Sequence, residues 1–205
     1  MHDDFRKIVL ASGNAGKVRE INKLFAGSGI EIVPQSEYGV TEVPETGTTF
    51  VENAIIKARH AAESTGLPAI ADDSGIEVDA LDHRPGVYSA RYAGEGASDS
   101  ANNSKILAEL KGLPDSDRTA RYQCVLVFMR SATDPVPIIT QGSWEGSILQ
   151  EPRGDGGFGY DPIFYVPTHN CSGGELPLDV KNTISHRALA LQAMLDEFRL
   201  HHYID

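Results

Sequence analysis

Apolar residues in this chain fall into distinct rhythms. Residues 7–11 (Lys-Ile-Val-Leu-Ala) read as a buried first strand and residues 30–33 (Ile-Glu-Ile-Val) as a second. Between them Val18, Ile21, Leu24 and Phe25 recur at helical spacing, and Gly27 and Gly29 close that helix. Strand, small-residue loop, helix and strand in this order make an α/β unit. Residues 34–48, rich in Pro, Gly, Thr and Glu, form a loop. Thr49 and Glu52 then have the spacing of a capping box. Val51, Ala54, Ile55, Ala58 and Ala62 are the buried stripe of a second helix, stopped by Gly66. Asn53, Lys57 and His60 fall on its polar face, for which solvation is the simplest account.

Residues 67–71 are apolar, and Pro68 excludes a helix interior, so a short strand is expected. It runs into Asp72-Asp73-Ser74-Gly75, where Gly75 is expected to turn the chain. Residues 76–81 alternate like another strand. Residues 84–86 form a turn, and residues 88–92 fit either a short strand or a site-lining loop. Ser98 or Asp99 can cap a third helix carrying Ile106, Leu107 and Leu110, stopped by Gly112 and Pro114. Residues 121–130 are apolar on both faces, as a central strand requires. A turn over 131–135, a returning strand over 136–142 and a further strand near 147–149 complete an antiparallel block between α/β parts, so a mixed sheet is expected. The last helix carries Ala188, Leu191, Leu195 and Phe198 inward, with Ser185 as its N-cap.

The composition suits one domain with a sizeable core: 205 residues, 40% hydrophobic and 23% charged. A formal net charge of -11 argues against nucleic acid and anionic membranes as partners. Two cysteines, Cys124 and Cys171, are too few for a disulfide framework or a zinc site, and Cys124 reads as core. Residues 1–7 lack the apolar continuation of a signal peptide, and no stretch is long enough to span a bilayer. The cytoplasm is the expected location.

Five places carry candidate chemistry. Asp72 and Asp73 end a buried strand, where carboxylates are costly unless something cationic meets them; Mg²⁺ fits, and so does a turn whose acids cap backbone amides. Ser12-Gly13-Asn14-Ala15-Gly16-Lys17 puts small residues and a lysine at a helix start, either to bind phosphate, although the spacing is not that of a P-loop, or as a plain turn with a solvated lysine. Glu45, on the 34–48 loop, could complete a metal shell or be surface. Residues 154–162 present Phe158 and Tyr160 from a glycine-rich backbone, either to stack on a nucleobase or to fold into the core. His186 and Arg187 put basic groups at a helix N-terminus, which favours acids. Such a local conflict points to function, here donors aimed at an acceptor-rich ligand with Lys181 adding another, or else to a basic cap tethered to a neighbouring acid.

Taken together, these segments resemble the inosine/xanthosine triphosphate pyrophosphatase family, from residues 12–17 through Glu45-Thr46-Gly47, Glu52-Asn53-Ala54, residues 71–75, 85–91 and 157–162, to Ser185-His186-Arg187. The order and spacing of the motifs carry the resemblance more than any one of them. It implies an elongated mixed α/β fold in a single domain of two lobes around a central nucleotide-binding cleft. It also implies a homodimer, Mg²⁺ dependence, and cleavage of non-canonical purine triphosphates (ITP, dITP, XTP) to monophosphate and pyrophosphate. By motif, Ser12, Gly13, Asn14, Ala15, Gly16 and Lys17 would bind phosphates. Asp73 would be general base and, with Glu45, a metal ligand. Ser74 would touch substrate, and Phe158, Gly159, Tyr160 and Asp161 would hold the base with Lys181, His186 and Arg187. The residues alone also allow a phosphoryl-transfer enzyme, which the broken P-loop spacing disfavours, or a non-catalytic purine nucleotide-binding module.

Overall fold

In the computed structural model, residues 5–12 and 15–204 are described. Seven strands, β1 (Lys7–Leu10), β2 (Glu31–Pro34), β3 (Ala69–Val78), β4 (Thr119–Met129), β5 (Ile138–Ile148), β6 (Phe164–Val166) and β7 (Cys171–Ser172), form one sheet in the order β2-β1-β3-β4-β5-β6-β7. β1 pairs in parallel with β2 and β3, whereas β5 with β6 and β6 with β7 are antiparallel, so the sheet is mixed. The helices are α1 (Ala15–Leu24), α2 (Phe50–Thr65), α3 (Asp99–Glu109), α4 (Leu178–Ile184) and α5 (His186–Leu200). The chain divides into two compact units. The first comprises Met1–Asp73, Cys124–Gly142 and Leu189–Asp205, the second Ser74–Gln123 and Ser143–Ala188.

In the first unit, strand alternation sorts the core into two faces. Ile8, Leu10, Ile70, Cys124, Leu126 and Phe128 pack with Ile21, Phe25, Leu191, Met194, Leu195 and Phe198, which brings α1 and α5 onto one face. Each such large apolar side chain contributes roughly 1.5–3 kcal/mol on burial. The intervening residues Val9, Ala69, Ala71, Val125, Val127 and Met129 meet Ala54, Ala58, Ala61 and Ala62 of α2 on the other. Alanines at this contact let the α2 backbone come close to the strands. The capping box forms as its pattern requires: the Thr49 hydroxyl accepts from Glu52 N–H at 3.3 Å and Glu52 Oε2 accepts from Thr49 N–H at 3.0 Å. Gly66, at φ 69°, ends the helix.

The second unit packs Ile76, Val78, Ile106, Leu110, Tyr122, Trp144, Ile148, Phe164 and Val166 into one core. Arg118, only 1% exposed, ties it together. Its guanidinium donates to the carbonyls of Leu110 at 2.8 Å, Ile148 at 2.7 Å and Leu149 at 2.6 Å.

Three expectations are corrected. Gly75 does not turn the chain: β3 continues through it, and the strand expected over 76–81 is the second half of β3, closed by a 3-10 turn at Asp79–Leu81. The 136–142 and 147–149 segments are one strand, β5. Of the two readings of residues 88–92, the strand falls because Gly86–Arg91 is a 3-10 helix, whereas Ser89 and Ala90 do line a cavity.

Candidate active site

The first unit assembles charge past the carboxyl end of β1, along the middle of β3. β1 lies between β2 and β3, all parallel, so the chain leaves β1 for one neighbour and later returns as the other. Open α/β sheets place ligands at such a switch point. In register, Leu10 faces Ile70, so Asp72 and Asp73 extend just beyond the end of β1. Alternation sends the two acids to different helices. Asp72, 2% exposed, takes Lys17 Nζ of α1 on both oxygens, at 2.8 and 2.7 Å. Asp73, 6% exposed, takes Lys57 Nζ of α2 at 2.8 Å and the amide of Asn53 at 3.3 Å.

Lys57 also donates to Glu45 at 2.7 Å, so one ammonium group bridges the two expected metal ligands. Glu45 arrives there because residue 47 has no side chain. A Cβ on Gly47 would lie 2.6 Å from Glu52 Cβ and 2.7 Å from Asn53 Oδ1, while Gly47 N–H donates to that same oxygen at 2.8 Å. Burial works to lower the Lys57 pKa, but the charges of Asp73 and Asp72 and the hydrogen bonds to Asp73 and Glu45 outweigh it, so the pKa is raised. Burial raises the Asp73 pKa, and Glu45 pushes the same way; Lys57 and Asn53 only partly offset them.

Three carboxylates, Glu45, Asp72 and Asp73, therefore meet two lysines. The donor set suits Mg²⁺, which takes one or two protein carboxylates and completes its shell with phosphate oxygens and water. No group of three or more His, Cys, Asp or Glu side chains able to hold a metal by themselves occurs among the described residues. Of the 12–17 loop, Gly13 and Asn14 lie outside the described residues; Ser12 follows β1, and Ala15, Gly16 and Lys17 open α1.

The second unit holds a cavity of about 170 Å³ lined by Ser74, Ser89, Tyr122, Phe158, Tyr160, His186 and Arg187, among others. That is below the roughly 300–1,000 Å³ of drug-sized sites and suits a single flat heterocycle. Ser185 caps α5 by accepting from Ala188 N–H at 3.3 Å, and this start aims the next two side chains inward: His186 and Arg187 are each 5% exposed. His186 stacks on Tyr122 with ring centroids 4.6 Å apart and planes 5° from parallel. Arg187 donates to the Ser74 hydroxyl at 3.3 Å.

Phe158 is 58% exposed, with Lys181 Nζ 4.7 Å and the Arg187 guanidinium 5.8 Å from its ring centre. Of its two expected placements, Tyr160 takes the core one while also bordering the cavity. Its ring lines the cavity, yet it is 4% exposed and its hydroxyl donates to Ser89 O at 2.7 Å. Asp161 is buried beneath the loop, accepting from Lys181 Nζ and from Phe158 N–H at 2.8 Å. The irregular Gly173-Gly174 pair has a steric reason, since a Cβ on Gly174 would sit 2.9 Å from Arg153 O and one on Gly173 3.1 Å from Asp161 Oδ1.

Sequence reasoning overlooked Asn53 and Lys57, assigned to a polar face. Asn53 is fully buried and both point at Asp73. It also overlooked Asp99 and Asn103 of α3, which bond to Gly159. The available signal was the Glu52-Asn53-Ala54 motif and the i, i+4 spacing of Asn53 and Lys57 beside an alanine stripe.

A model described as the Ham1 family matches residues 8–197. The chain is 60% identical over 189 residues, 92% of its length and 94% of the relative's, to a protein of Vibrio parahaemolyticus named dITP/XTP pyrophosphatase. It is 57% identical over 194 residues, 95% of its length and 98% of the relative's, to one of the same name from Escherichia coli O157:H7. Among solved structures, a HAM1 protein from Coxiella burnetii superposes with a TM-score of 0.91 at 51% identity, covering 95% of this chain and 98% of that one. On this evidence the chain belongs to the Ham1 family, the non-canonical purine triphosphate pyrophosphatases its motifs resemble.

Proposed function

We propose that this protein is a Mg²⁺-dependent pyrophosphatase that converts dITP, ITP and XTP to the monophosphate and pyrophosphate, acting as a homodimer on the cytoplasmic nucleotide pool. The observation that carries the reading is the bridging of Glu45 and Asp73 by Lys57, beside Asp72 and Lys17. Relatives named dITP/XTP pyrophosphatase support the substrate class. The whole chain serves as one functional domain of two lobes.

Mg²⁺ held by Glu45 and Asp73 would neutralise charge on the phosphate oxygens. Lys17 and Lys57 add ammonium donors for the same oxygens, and residues 12–16 offer backbone N–H groups. Asp73 accepts the proton of the attacking water. The water oxygen bonds to the α-phosphorus, the bond from that phosphorus to the bridging oxygen breaks, and pyrophosphate leaves. A base whose pKa is raised by burial is the stronger for it.

At the other end, Phe158 stacks on the purine, and Arg187 and His186 donate to its 6-oxo group, with Gly159, Tyr160, Asp161 and Lys181 shaping that contact and Ser74 beside it. Arg187 has donors only. Adenine offers an amino group there and leaves these donors unpaired.

The test is incubation with dITP and Mg²⁺ followed by product identification. Pyrophosphate is expected; orthophosphate, or no turnover, would sink the reading. Asp73→Asn should keep nucleotide affinity and lose at least about 100-fold in kcat, and wild-type turnover in that variant removes Asp73 from the mechanism. Light scattering should give twice the mass of one chain.

A further inference from the structure

The residues expected to hold the base sit on a backbone that needs holding itself. Phe158 is 58% exposed, and the glycine after it has φ 62°. An exposed ring on such a segment is placed only as well as the peptides on either side of it. One hydrogen bond from Phe158 N–H to Asp161 fixes the near side. The far side is fixed from α3: Gly159 N–H donates to Asp99 Oδ2 at 2.6 Å, and Gly159 O accepts from Asn103 Nδ2 at 3.1 Å. Asp99 and Asn103 lie four residues apart on one helix, so together they engage both polar groups of a single glycine.

Neither residue is needed to start that helix, because Ser98 supplies the cap by accepting from Ala101 N–H at 3.2 Å. Asn103 is 7% exposed, and its Oδ1 has no hydrogen-bond partner among the described residues. The bond to Gly159 O requires the amide in this orientation. A buried acceptor left unsatisfied works against stability, which marks the side chain as serving something other than the core. The neighbouring Asn102 shows the contrast, since its Oδ1 accepts from Ala93 N–H at 2.8 Å and its amide donates to Ala90 O at 3.3 Å.

We infer that Asp99 and Asn103 are positioning residues for purine recognition: by clamping the Gly159 peptide they hold the Phe158 ring where Lys181 and Arg187 meet it. The inference rests on the proposed nucleotide substrate and adds two residues to its base-reading half. Asp99 also borders the cavity, beside Gly159, so both residues act at the base end and neither handles phosphate. Their loss therefore weakens nucleotide binding through the base and leaves phosphate handling alone.

The experiment compares wild type with Asp99→Ala, Asn103→Ala and the conservative Asp99→Asn, all checked for an unchanged unfolding midpoint. KM and kcat are measured for dITP and XTP, together with the inhibition constant for pyrophosphate, which carries no base. Expected for both alanine variants are a KM raised about tenfold or more, a kcat within about twofold, and an unchanged pyrophosphate constant. Asp99→Asn keeps an acceptor for Gly159 N–H and should recover most of the loss. Unchanged KM values overturn the inference. So does a parallel rise in KM and in the pyrophosphate constant, which is general damage, and so does an Asp99→Asn variant as impaired as Asp99→Ala. Wild type that releases no pyrophosphate from dITP defeats the substrate reading instead, so the two failures are separable.

Discussion

Arg187 shows how a side chain in an unfavourable place gives itself away. A cation at a helix N-terminus opposes the helix dipole, and this one is also buried, at 5% exposure. The first cost was readable from the chain, as was that of burying Asp72 and Asp73 in a strand; the burial of Arg187 was not. The Arg187→Ala variant should lose about 100-fold in kcat/KM for XTP and little for ATP; an unchanged XTP-to-ATP ratio contradicts the account of base choice. Lys57 and Asn53 gave no such sign. Apart from their i, i+4 spacing beside an alanine stripe they look like any solvated pair, and the approach of Asp73 from a distant strand shows their part. Asp134 makes a purely structural contrast. It accepts from Arg130 at 2.9 and 2.6 Å, and hydrogen bonds from that guanidinium hold its pKa down at about 2, against the ordinary 3.8. A depressed carboxylate stabilises fully above its unfolded pKa and loses that contribution as pH falls through the folded one. Asp134→Asn should therefore cost about 1–2 kcal/mol at neutral pH. In urea unfolding, that gap should close as pH falls from about 4 to about 2.

Among the elements, α2 and β4 were the most legible because their signals are local. A capping box, an alanine stripe and a C-terminal glycine define α2; an unbroken apolar run defines β4. β3 and β5 were read as fragments. In β3 the Asp-Asp-Ser-Gly sequence has the composition of a turn, but Lys17 and Lys57 make its carboxylates bearable in a buried strand, and Gly75 stays extended. In β5 the polar positions of Gln141, Ser143 and Glu145 look like a break, yet they are the exposed side of an alternating strand. The loop before α2 offers a sharp test of how elements place a functional side chain. Gly47→Ala adds one methyl group against Glu52 and Asn53. It should displace Glu45 and cut turnover at least about tenfold at limiting Mg²⁺, with much of the loss recovered at high Mg²⁺. Activity unchanged at every Mg²⁺ concentration would mean that Glu45 does not depend on this packing.

For the molecule as a whole, charge and chain order matter most. With a formal net charge of -11 the protein should bind an anion exchanger at neutral pH and pass heparin at low salt; retention on heparin would expose a basic face that composition conceals. Chain order was not legible in advance, because the windows that reveal helices and strands say nothing about which distant segments share a core. The first unit is assembled from three separated stretches, and its core joins Ile8 and Leu10 to Leu126 and Phe128 and then to Leu191, Met194, Leu195 and Phe198. During synthesis, then, the opening strands β1 and β2 must wait with one flank covered by α1 alone until α5 clears the ribosome. The segment that begins with the purine-reading residues is also the one that seals the phosphate-side core, so a chain stalled before it would have neither.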